Sequence, residues 1–225
     1  MAFSKEIRNK IHEYVQAELP KEEWYGTHFY PFLKDDILRN KLITEFKNAR
    51  LIYKIFEGLQ AENELLLAEV KTQVILFASI QEAVVDYVLY KILEKTDAVQ
   101  NLLTKNDLVR IDIPQAKKEI LKNNLIHDGK NIICYYEKTR PMTEKEKFSI
   151  RYRQKINALS SLGVISEDLA EDLKCLYEYR NTIHIESDIK KNLSYDLEMG
   201  KLAYRRVEGL SIEISKYISD NKVKY

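Results

Sequence analysis

Apolar residues recur every three to four positions along most of this chain, and that spacing predicts helices. From Ser4 to about Leu19, Ile7, Ile11, Tyr14 and Val15 share one face, and Pro20 ends the segment. Residues 20–34, with Trp24, Gly26 and Pro31, read as an aromatic-rich connector. Asp35 or Asp36 caps a helix to about Glu57, striped by Ile37, Leu38, Leu42, Ile43, Phe46, Ile52, Ile55 and Phe56, with Gly58 as its stop. A long helix follows over about 61–95. Its stretch Val74–Leu93 is apolar on nearly all faces, the mark of a helix packed by several neighbours. Glu82, Asp86 and Lys91 would cost a membrane span several kcal/mol, so a buried core helix is expected and no membrane partner. Residues 97–104 add a short helix.

The period changes over 107–140. Val109–Ile113 alternates apolar and polar positions, and Asn131–Tyr136 is rich in strand-favouring residues. Pro114 starts a short helix between them, to about Asn123, and His127-Asp128-Gly129-Lys130 signals a turn. A small two-stranded insertion is expected there. Helical spacing resumes at Thr143, where Thr143-Glu144-Lys145-Glu146 fits a capping box, and runs to about Leu162, closed by Gly163. Ser166 caps the next helix, to Ile185. Ser194 caps the last, about 195–219. The chain therefore reads as all-α, with an N-terminal helical extension over 1–60, a helical domain over 61–225 and a β-hairpin-like insertion at 107–140.

Composition agrees: glycine (6) and proline (4) are scarce in 225 residues. The net charge of +1 excludes a polyelectrolyte binder, so a nucleic-acid surface must be a local patch. Cys134 and Cys175 make no disulfide framework and no metal-ligand spacing, which fits a reduced compartment. The N-terminus carries charges where a signal peptide needs an apolar run, and a cytoplasmic location is expected. His12, His28 and His127 are scattered without ligand spacing, and no metal or cofactor is expected. A phosphate loop, a dinucleotide fingerprint and a nucleophile elbow are absent.

Chemistry concentrates at Arg180-Asn181-Thr182-Ile183-His184. On a continuous helix, Arg180 falls inside the stripe made by Leu169, Leu173, Leu176 and Ile183, His184 sits at its edge, and Tyr177 and Asn181 lie on the same side. A guanidinium there must find a partner or reach solvent. An imidazole can take the proton of an RNA 2′-hydroxyl or protonate the leaving oxygen. A guanidinium can grip the phosphate and stabilise its transition-state charge, and an asparagine can orient either group. One such pair supplies one acid or base, so two facing across a dimer axis complete the set. The plainer reading has Arg180 capping its helix or pairing with a carboxylate such as Glu82, and His184 satisfied by a backbone carbonyl. Glu82 and Asp86, one turn apart, either orient the Arg–His pair or face another helix's lysines.

A second candidate surface is basic. Lys117–Lys155 holds eleven Lys/Arg against five acids, with Tyr135, Tyr136, Phe148 and Tyr152 interleaved. Cations with stacking rings grip single-stranded RNA, though a solvated helix face beside a β-ribbon has the same composition. Arg151, Arg153 and Lys155 are the expected RNA contacts.

The run Leu173-Lys-Cys-Leu-Tyr-Glu-Tyr-Arg-Asn-Thr-Ile-His-Ile resembles the C-terminal signature of the HEPN superfamily. Leu162-Gly-Val-Ile-Ser-Glu-Asp-Leu is similar to the family's approach to that signature, and Ser79–Tyr87 to its first core helix. The resemblance covers about residues 66–219, with the insertion interrupting it. It implies a helical bundle, a homodimer, and a metal-independent endoribonuclease of phage defence or a toxin–antitoxin system, with an antitoxin or other regulatory protein as a further partner. Arg180, Asn181 and His184 are then the catalytic set, supported by Tyr177, Glu82 and Asp86. Three residues separate Arg180 from His184, a compact form of the motif. The alternative is an inactive HEPN-like module that binds RNA, dimerises or acts as an adaptor.

Overall fold

The computed structural model describes residues 2–17, 19–124 and 133–225. The chain forms two compact units, Met1–Val99 with Arg151–Tyr225, and Gln100–Ile150. Helices dominate, and among the described residues the one sheet has two strands, so the fold is all-α with a small β-hairpin.

Helix α1 spans Lys5–Gln16, with the Ser4 hydroxyl accepting from the Ile7 N–H at 3.3 Å. The expected connector contains a short helix, α2 (Glu22–Thr27). Asp35 caps α3 (Asp36–Gly58) by accepting from the Leu38 N–H at 3.0 Å. Gly58 is the last residue of α3 and matters for space: a Cβ there would lie 2.9 Å from the Tyr14 ring. Helix α4 (Asn63–Tyr87) continues as one π-helical turn, Val88–Ile92, and α5 covers Asp97–Leu102.

The smaller unit pairs β1 (Thr104–Arg110) antiparallel with β2 (Tyr135–Pro141), with α6 (Gln115–Asn124) between them in sequence. Both strands lie closer to the base of the insertion than alternation alone predicts. Cross-strand polar pairs set this register: Thr139 donates to Asn106 Oδ1 at 2.9 Å, and Arg140 Nε donates to Asp107. Ile111 adds one more backbone bond, to Cys134 O, before Pro114, which has no N–H to donate. The expected turn at 127–130 and the start of the expected second strand lie outside the described residues.

The capping box at Thr143 forms, but its helix, α7, is only Glu144–Lys147. The Ser149 hydroxyl bonds back to Glu146 O at 2.6 Å, and the backbone tightens into i→i−3 bonds at Ser149 and Ile150. Gln154 then accepts from the Arg151 N–H at 3.0 Å and starts a separate helix, α8 (Tyr152–Ser161). The single helix expected over 143–162 is thus two. Helix α9 (Glu167–Asn181) is capped by Ser166 as expected, and a further helix, α10 (Ile185–Lys191), follows it. The last helix, α11 (Leu197–Asp220), is capped by Asp196, where Ser194 was expected.

In the larger unit α4 is central, packed by α3, α8, α9 and α11. Asn63–Ile92 is long and apolar enough to cross a membrane by length and composition. Here Val74, Phe77, Val84, Val85 and Leu89 are buried against those neighbours. Buried amides fasten the packing: Gln73 donates to Ala49 O on α3 at 2.8 Å and Gln81 to Ala203 O on α11 at 3.0 Å. Residue 60, expected to end an extension, does not separate units. Trp24, Tyr25 and Phe29 gather on Phe46 of α3, which also meets Phe77 of α4 and Tyr204 of α11. The Ser211 hydroxyl accepts from the Tyr30 N–H and donates to His28 O, fixing the connector to α11.

Candidate functional site

Arg180 lies in the last turn of α9, beside α4. Its Nη2 stands 3.3 Å from Glu82 Oε2, and its Nη1 donates to Asn181 Oδ1 at 3.3 Å. The guanidinium also lies 5.3 Å from the centre of the Tyr177 ring. Tyr177 donates to the other Glu82 oxygen at 3.3 Å, so one carboxylate holds both side chains. Burial and then Glu82 push the Tyr177 hydroxyl above its usual range, which keeps it a donor. Tyr152 stacks on Tyr177 with ring centres 4.2 Å apart.

The structure thus brings together Arg180, Asn181, Tyr177 and Glu82. The arginine side chain remains 35 % exposed. A guanidinium carries five N–H donors, and two long contacts leave capacity for an anion.

Asp86, one turn beyond Glu82, instead pairs with Lys155 at 2.6 Å. Lys155 is buried and also lies over the Tyr90 ring. The expectation that Lys155 contacts RNA is therefore corrected: its ammonium is committed to Asp86 inside the bundle. Arg151 and Arg153 are exposed and remain available. In the smaller unit, Arg140 is forked onto Glu146 at 2.7 and 2.8 Å and also meets Asp107, so its charge is already balanced.

His184 does not continue the helix of Arg180. Helix α9 ends at Asn181, and His184 is the extended residue that precedes α10, its carbonyl accepting from the Ser187 and Asp188 N–H groups. The cause lies at Tyr179 O. That carbonyl accepts from the Thr182 hydroxyl at 2.6 Å and from the Tyr195 hydroxyl at 3.1 Å. Thr182 and Tyr195 also contact each other directly. Tyr179 O also takes the Thr182 N–H, an i→i−3 bond, and with that carbonyl occupied Ile183 and His184 continue in i→i−3 bonds to Arg180 O and Asn181 O. The shared helical face expected for Arg180 and His184 is thus replaced by an elbow. Ile183, expected in the apolar stripe, is 59 % exposed for the same reason. His184 is exposed, and its ring makes no hydrogen bond among the described residues.

The Tyr195 contact carries no sequence signal, because it joins residues far apart along the chain. Tyr195→Phe removes the hydroxyl bond to Tyr179 O and should cost about 1 kcal/mol. Urea unfolding checks the cost, and unchanged stability would show that the elbow does not depend on Tyr195.

Among the described residues, no group of three or more His, Cys, Asp or Glu side chains could hold a metal ion. No family model matches the chain, and no curated protein or solved structure matches it.

Proposed function

We propose that this protein is an endoribonuclease of the HEPN type that works as a homodimer, in phage defence or a toxin–antitoxin setting. One observation carries the reading: Glu82 and Asn181 hold Arg180 half-exposed at the end of α9, and the elbow that follows presents His184 to solvent three residues later. The proposed chemistry uses the 2′-hydroxyl as nucleophile, His184 for the proton, and the remaining Arg180 donors for the phosphate. The Arg180 guanidinium bonds to Glu82 and Asn181 and not to the His184 ring within one protomer, so in this reading a second copy supplies the missing partner group. Ile185 and Ile189, one turn apart on α10 and 76 % and 74 % exposed, offer an apolar face beside His184 for that contact.

The dimer is expected to cleave RNA in the presence of EDTA, leaving 2′,3′-cyclic phosphate ends. Mass spectrometry of the products checks this. Ile185→Glu with Ile189→Glu should abolish dimerisation and cleavage together. A homogeneous dimer that leaves RNA intact removes the proposal.

The Glu82 contact also favours a second reading, because it spends part of the guanidinium's charge on a carboxylate. In that reading the chain is an RNA-binding or adaptor module without catalysis. RNA then binds without products, and Arg151→Ala with Arg153→Ala weakens binding and flattens its salt dependence.

A further inference from the structure

A second place in the larger unit holds unsatisfied charge, apart from Arg180 and His184. A cleft of about 190 Å³ lies between α3, α4 and the start of α11. Glu69 lines it at 4 % exposure, and its carboxyl group makes no hydrogen bond or ion pair among the described residues. Arg50 lines it as well. Its guanidinium sits 4.9 Å from the centre of the Tyr204 ring and 5.6 Å from that of Tyr53, again with no carboxylate partner. The two opposite charges do not pair with each other. Val70, Phe77 and Leu197 supply apolar wall.

A charge on a residue packed this deeply, with no protein partner, is costly unless its carboxylate reaches water or a ligand through the cleft. Desolvation and the neighbouring Glu57 raise the Glu69 carboxyl above its ordinary range. A ligand that carries an ammonium and a carboxylate side by side on one carbon offers a partner to each group. The volume holds about six waters at roughly 30 Å³ each, well below the roughly 300–1,000 Å³ of drug-sized sites. We propose that this cleft binds a small zwitterion, an α-amino acid with an apolar side chain, its carboxylate on Arg50 and its ammonium on Glu69. The aromatic rings beside Arg50 hold the guanidinium in place by cation–π contact, so little ordering remains to be done when the carboxylate arrives.

Calorimetry on the full chain tests the site, with L-leucine as first probe, then the other L-amino acids, and 4-methylpentanoate as the analogue without the ammonium. Saturable binding of an apolar L-amino acid is expected. It should weaken at least about tenfold with either Glu69→Gln or Arg50→Gln, since each removes a charge-assisted contact. The analogue should bind weakly. Without ligand, Glu69→Gln should be no less stable than the native chain. The sign follows from the raised carboxyl: stability is complete below the ordinary carboxylate range and is lost as pH rises through the raised folded value. The glutamine variant escapes that loss, so its advantage should grow above the ordinary range, with Arg50, Tyr53, Glu57, Lys201 and Tyr204 as the titratable groups around it. If Arg50→Gln does not fold, the Glu69→Gln result decides alone. The proposal is overturned by any of three results: no L-amino acid binds saturably at millimolar concentration, binding is indifferent to both substitutions, or the analogue binds as tightly as L-leucine.

Discussion

His184→Ala is expected to lower RNA cleavage by about 100- to 10,000-fold, the usual worth of a general acid or base, while leaving the melting temperature unchanged. The stability half of this prediction follows from geometry. The ring is exposed and makes no hydrogen bond among the described residues, so its loss leaves no cavity and no unpaired polar group. The elbow depends on backbone and on Thr182 and Tyr195, not on the imidazole. Arg180 should behave differently. Arg180→Ala removes the cation that faces Glu82 and Asn181, so it should lose activity and some stability together. Arg180→Lys keeps the charge but cannot recover the site. Two separate guanidinium nitrogens engage Glu82 and Asn181, and a single ammonium cannot reproduce that fork while also gripping phosphate. Cleavage assays with melting curves on the three variants check the pattern. If His184→Ala keeps full cleavage, His184 handles no proton and the nucleolytic mechanism falls.

The elbow also shows what local pattern can and cannot reveal. Thr143 and Ser166 were legible as caps, and the cap at Asp35 was narrowed to Asp35 or Asp36, because a cap is settled within three residues of sequence. The central position of α4 was legible because its apolar residues cover most of its circumference. The end of α9 was not, since Leu169, Leu173, Leu176 and Ile183 keep helical spacing straight through the break. The helix stops where the Thr182 hydroxyl and, from farther along the chain, the Tyr195 hydroxyl both reach Tyr179 O, and the second of these is placed there by the return of the chain toward α11. Lys155 misled for a related reason. A lysine in a basic run looks solvated, but its partner is Asp86 on α4, 69 residues away. Glu69 gave no warning either: its neighbours in sequence are ordinary for a helix, and only the packing of α3 and α11 leaves it at 4 % exposure beside the cleft without an ion-pair partner among the described residues. Tertiary contacts decided each of these cases, against a local pattern that favoured something else.

The N-terminal segment offers the sharpest test of the fold. Phe46→Ala is expected to cost about 3–5 kcal/mol, the range for deleting a buried aromatic ring. Phe46 is 1 % exposed, and its ring centre lies 5.9 Å from Trp24, 5.1 Å from Phe29, 6.0 Å from Phe77 and 5.9 Å from Tyr204. Those rings come from the connector, from α4 and from α11. Removing the central one takes contacts from all three at once, and aromatic side chains around a fixed backbone cannot collapse fully into the space. Against a typical total stability of about 5–15 kcal/mol, such a loss should lower the melting temperature by roughly 10 °C. Ile37→Ala on the same helix is the control. Ile37 is 85 % exposed, and its replacement should stay within about 0.5 kcal/mol. Urea unfolding of both variants beside the native chain compares the two costs. A large gap shows that residues 20–57 share a core with α4 and α11, so that removing them would unfold the helices that carry Arg180. Equal costs would mean that the N-terminal helices are an appendage, and the cleft that holds Arg50 and Glu69 would lose one of its walls.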